Sequence, residues 1–111
     1  MRLKWSKALF FAVGLVLLTL AIANRVSADD KSAPLYKQKC ATCHGADGKG
    51  DTPAGKAMKV RSFADPQSAG MSDAEYAEVI EKGKGKMPKY GATMKAEEIK
   101  DMVAYLRTLA K

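Results

Sequence analysis

Cys40-Ala41-Thr42-Cys43-His44 holds both cysteines and the only histidine of a 111-residue chain. Two thiols separated by two residues and followed at once by an imidazole have the spacing of covalent c-type haem attachment. On a helical turn Cys40 and Cys43 lie three positions apart and project from one face. There each can add to one of the two vinyl groups on a haem edge. His44, beside the second sulfur, then falls under the iron as its proximal ligand. Other readings of the same residues fare worse. A thioredoxin-like redox pair needs a βαβ pattern around it, which the chain lacks. A four-ligand zinc site needs two more Cys or His, and none exist. A structural disulfide would leave the adjacent histidine to chance. The pattern selects haem attachment, and with it electron carriage rather than conversion of a substrate.

Outward from this stretch, the N-terminus has the form of an export signal. Met1 to Lys7 carries Arg2, Lys4 and Lys7, Ala8 to Ala23 is apolar or small, and Val26-Ser27-Ala28 offers a small-residue cleavage site. As a helix that apolar run would reach only ~24 Å, short of a ~30 Å hydrocarbon core. Cleavage after Ala28 is therefore expected, with residues 1–28 as signal peptide and 29–111 as one haem domain. Arg25 in the cleavage region keeps an uncleaved, inner-membrane anchor as the alternative. Either way the haem domain faces the periplasm or the cell exterior. Cleavage removes four bases and no acids, leaving 15 basic and 12 acidic residues, so the net charge falls from +7 to +3. A domain of this size has little stability in reserve, and a covalent haem would supply a large apolar body for its core.

The remaining chain reads as all-α. A first helix is expected from about Pro34 into the haem motif, with proline in the first turn, where its missing N–H is harmless. Ser72-Asp73-Ala74-Glu75 forms a capping box that opens a second helix, closed at Gly83. Tyr76, Val79 and Ile80 give it an apolar stripe. The third spans Ala96 to Ala110, where Ile99, Met102, Val103, Leu106 and Leu109 recur at helical spacing. Lys95 stands where Ser or Thr would cap it, at a cost of about 1 kcal/mol. Gly45 to Met71 reads as a long loop wrapped on the cofactor, its Phe63 facing the porphyrin.

One histidine excludes bis-histidine ligation, so the second axial position falls to Met, to a weaker group such as Lys, or stays open. Met102 belongs to the last helix's apolar face, and Met71 and Met94 suit hydrophobic staples at helix starts. Met87 sits in Gly83-Lys84-Gly85-Lys86-Met87-Pro88, which has no apolar periodicity. Its glycines let backbone approach the porphyrin, and Pro88 fixes the direction after the sulfur. Met87 is the expected ligand and Met58 its rival. A thioether ligand favours ferrous iron and raises the potential. The alternative is a haem enzyme or gas or redox sensor with a labile sixth ligand. Lys82, Lys84, Lys86 and Lys89 crowd around Met87. They serve either solubility alone or as a basic rim that steers acidic-faced redox proteins to the haem. Without aromatic stacking positions they do not suggest nucleic-acid binding. A membrane partner follows only if residues 1–28 are retained.

Together these residues resemble the small bacterial class I c-type cytochromes. The resemblance rests on Leu35-Tyr36 before Cys40–His44 and Gly45, on Ser72–Gly83, on Gly85-Lys86-Met87-Pro88 with Tyr90-Gly91, and on Glu97-Glu98-Ile99 with Val103 to Arg107. It implies the cytochrome c fold, about three to four helices and long loops around one haem c. It also implies His44 and Met87 as axial ligands, an electron-shuttling role, and first and last helices that cross near Tyr36 and Tyr105. Ser32 and Ala33 stand where the family usually has glycine at that crossing. The resemblance further implies that the Pro88 backbone helps hold His44, and Arg61 is a candidate partner for a haem propionate.

Overall fold

The computed structural model describes residues 29–111; the export segment expected over 1–28 lies outside them. The described residues form six helices and no strand: α1 Asp29–Lys39, α2 Ala41–His44, α3 Pro53–Met58, α4 Pro66–Ala69, α5 Asp73–Lys82 and α6 Ala96–Leu109. α6 is the spine, with α1 and α5 packed against it. Its residues Ile99, Met102, Val103 and Leu106 are buried, as the helical spacing predicts.

The start of α1 differs from expectation. The helix begins at Asp29 and carries Pro34 in its interior. Ser32 and Tyr36, one turn apart, are 3% and 1% exposed, so packing extends the helix back past the proline. Where α1 packs on α6, the Tyr36 and Tyr105 rings stand 5.3 Å apart. α1 stops at Cys40, and the chain re-enters helix at Ala41.

The stretch expected as one long loop contains two short helices. Thr52 caps α3 by accepting from the Gly55 N–H, and Pro53 opens its first turn. Asp65 and Pro66 repeat the arrangement at α4. A polar cap followed by proline is a helix start in its own right. The capping box of α5 forms as read, Ser72 and Glu75 each accepting the other's backbone N–H. At α6 only half of one forms. Glu98 accepts from the Lys95 N–H at 2.8 Å, while the ammonium of Lys95 has no lone pair to offer in return. Met71 and Met94 directly precede the caps of α5 and α6, and both join the core with Tyr76 and Ile99, the staple geometry expected of them.

Arg107 ties α6 to the α4–α5 connection. Its guanidinium donates to the carbonyls of Ala69 (3.2 Å) and Met71, lies 2.9 Å from an Asp73 carboxylate oxygen, and sits 4.5 Å over the Tyr76 ring. Asp73 is mostly exposed, so the ion pair itself contributes little. The carbonyl bonds matter more, since Arg107→Leu strips a charged donor from both. That substitution is expected to lower holoprotein stability by about 2 kcal/mol in denaturant unfolding; an unchanged midpoint would show that solvent replaces the clamp.

Candidate haem site

The expected site residues meet. Cys40, Cys43, His44 and Met87 line one cavity of about 410 Å³, floored by core side chains including Phe63, Ile80 and Leu106. The imidazole and both thiols come from the end of α1 and from α2, whereas Met87 comes from the connection between α5 and α6. Cys40 and Cys43 are free thiols, each partly buried.

The backbone of the motif is held from several directions. The Tyr36 hydroxyl donates to the Gly45 carbonyl at 2.7 Å. Thr52 Oγ1 lies 2.7 Å from the Thr42 carbonyl and 3.1 Å from that of Cys43, a donor shared between two α2 carbonyls left without helical partners. The Phe63 ring stacks on His44 with centroids 4.8 Å apart and planes 13° from parallel. Phe63 thus faces the cavity as the sequence predicts.

Electrostatics fit a metal-binding macrocycle. Burial holds the His44 imidazole below its ordinary pKa, so at neutral pH it is uncharged with a lone pair to give. Its Nδ1 is buried without a hydrogen-bond partner, so the implied Pro88 backbone support is not made. Burial also pushes the Cys40 thiol up to about 11. A thioether carries no such proton, so covalent attachment removes an ionisable group from a partly buried place. Two thiols, a neutral imidazole with an unpartnered nitrogen and a roomy apolar cavity together suit haem c, and Met87 brings a thioether to the same cavity. Among the described residues no three His, Cys, Asp or Glu side chains gather as a metal cluster, which leaves the zinc reading without support.

Met87 sits in a tight hairpin. Lys84 and Met87 exchange backbone hydrogen bonds (3.2 and 3.0 Å), and Gly85 between them has φ +58°, the positive first central position of a II′ turn. Gly83, at φ +73°, lets the chain double back, since a Cβ there would meet the Met87 carbonyl oxygen at 2.7 Å. Met58 lines the same cavity but is 42% exposed at the end of α3. Lys39, Lys59, Arg61, Lys84 and Lys86 line the cavity, and no acidic residue does. The basic rim is therefore wider than the lysine run around Met87 suggests. Lys82 lies outside it, bonded to Glu78 at 2.9 Å, and Lys89 is exposed beyond it.

An all-helical domain with a thiol pair, imidazole and thioether around one apolar cavity is the architecture of a c-type cytochrome. The profile of the family described as cytochrome C oxidase, cbb3-type, subunit III matches residues 27–106. Cytochrome c6 of Nostoc sp. (strain PCC 7120 / SAG 25.82 / UTEX 2576) is 34% identical over 97 residues, covering 85% of this chain and 84% of that protein. The solved structure of the KustC0563 c-type cytochrome superposes with a TM-score of 0.66 at 35% identity, covering 72% of this chain and 98% of the other. The chain belongs to the cytochrome c family, as a small monohaem class I c-type cytochrome. Its cofactor is covalent haem c, and its role is that of a haem electron carrier.

Proposed function

We propose that this cytochrome is a periplasmic one-electron carrier, with haem attached through Cys40 and Cys43 and ligated by His44 and Met87. Residues 1–28 act as the export signal and 29–111 as the haem domain. The family match beginning at residue 27 supports that division. Bound haem c supplies an Fe(II)/Fe(III) couple. The observation that carries the reading is the meeting of Met87 with the Cys40–His44 motif at one cavity, from separate parts of the chain. Met58 is less suited, because its helix α3 is bonded through Thr52 to the α2 backbone itself, on the side that already supplies His44. With haem bound, a thioether held by the 84–87 hairpin would exclude small ligands and favour the ferrous state. That is carrier chemistry rather than turnover.

The cavity rim supplies the docking logic. Five basic and no acidic lining residues present one sign of charge to an approaching partner, which raises encounter rates with an acidic-faced redox protein and suppresses basic ones. The test is stopped-flow reduction by such a protein across ionic strength. The rate is expected to fall steeply with salt, and Lys84→Glu with Lys86→Glu to cost about tenfold at low salt. A flat salt response in both proteins would remove the rim from recognition and leave solubility as its role.

A further inference from the structure

Tyr90 makes a contact that nothing in its neighbourhood of sequence announces. Its hydroxyl donates to the carbonyl of Lys39 at 3.0 Å, across 51 positions. Among the described residues this is the only hydrogen bond between segment 29–61 and segment 66–111, and no ion pair joins the two. The first segment holds Cys40, Cys43 and His44; the second holds Met87. We infer that Tyr90 is a positioning residue, a polar latch that fastens the Met87 hairpin to the backbone directly ahead of Cys40 and so sets how firmly the sixth ligand is kept in place. The inference rests on the assignment of Met87 proposed above.

Both ends of the latch are prepared by the fold. α1 ends at Lys39, and the Cys43 N–H turns to the Cys40 carbonyl (3.3 Å) instead of reaching back to Lys39. The Lys39 carbonyl is thus a helix-terminal acceptor in need of a partner, and the Tyr90 phenol takes that place. At the other end the Tyr90 backbone is anchored to the end of α5, its N–H donating to Ile80 (2.9 Å) and that of Gly91 to Glu81 (3.1 Å). Only Pro88 and Lys89 separate Met87 from Tyr90, and the proline ring removes a rotation from that short link. A fixed phenol therefore leaves Met87 little slack. Tyr90 and Lys39 both border the cavity, so the latch closes the seam between the two halves at the rim.

The experiment compares ferric holoproteins carrying Tyr90→Phe, Met87→Ala and Arg107→Leu with the parent. The readouts are the rate of cyanide capture and the red Met–Fe(III) charge-transfer band. Tyr90→Phe keeps the ring and loses one hydrogen bond, so cyanide capture is expected to be about fivefold faster, with the band weakened but present. Arg107→Leu, which removes bonds made only within segment 66–111, should lower stability and leave the capture rate alone. Capture by Tyr90→Phe at the parental rate overturns the latch, and so does an equal acceleration in Arg107→Leu, which would mean general loosening. Should Met87→Ala capture cyanide no faster than the parent, the ligand assignment falls first, and that failure is distinct from the other two.

Discussion

Replacing Met87 with alanine is expected to abolish the red charge-transfer band of the ferric protein and lower its reduction potential by on the order of 0.2 V, well inside the roughly 0.8 V that axial ligation spans. A methyl group cannot reach or ligate iron, so the sixth position opens to water, cyanide or carbon monoxide. The fold should survive. Met87 is only half-buried, and the hairpin that carries it is closed by backbone bonds between Lys84 and Met87 that alanine retains. The measurement is a spectrum and a redox titration of the variant beside Met58→Ala. Met58 lines the same cavity from α3 and is the side chain most able to contradict this expectation. Loss of the band in Met58→Ala, with Met87→Ala unchanged, would reassign the ligand.

Removing both sulfurs should have a larger consequence. Cys40→Ala with Cys43→Ala is expected to leave a chain that holds no haem covalently and does not fold cooperatively. The reason is volumetric. At about 24 cal/mol per Å³, an unfilled cavity of about 410 Å³ corresponds to roughly 10 kcal/mol, comparable to the ~5–15 kcal/mol that holds a whole domain. The cavity opens to solvent, so that figure is an upper bound, but even half of it would exhaust a domain this small. The loss would show as a broad, shallow denaturation profile in far-UV circular dichroism. A sharp two-state transition in the doubly substituted protein would show that the helices stabilise each other without the macrocycle.

Much of the fold was legible because its signals are local. The Ser72–Glu75 box and the periodicity from Ile99 to Leu109 each lie within a few turns of one helix, and both appear as read. The haem motif is five consecutive residues, and Met87 and Phe63, which the sequence also points to, line the same cavity. The start of α1 was less legible. Pro34 obeys a local rule that favours first turns, while the packing of α1 on α6, as in the Tyr36–Tyr105 ring pair, depends on residues some seventy positions away. Thr52-Pro53 and Asp65-Pro66 were readable as caps, but α3 and α4 are one turn or little more and leave no periodicity to notice.

Side-chain roles set by distant partners were the least visible. Arg107 suits the C-terminus of a helix dipole, and nothing near it in sequence points to the carbonyls of Ala69 and Met71. The lysines near Met87 stand out as a run, yet Lys82 is engaged by Glu78 one turn back, while Lys39, Lys59 and Arg61 reach the same rim from elsewhere in the chain. Tyr90 reads as one aromatic after a Met-Pro pair, and its reach to Lys39 exists only once α1 has broken at Cys40.

The most direct measurement is the mass and colour of the exported polypeptide after denaturation and extraction of free haem. One haem should remain per chain, carried by the peptide that spans Cys40 to His44, with both thiols consumed as thioethers. A colourless chain whose two cysteines are free, or are bridged to one another, would contradict the account at its root.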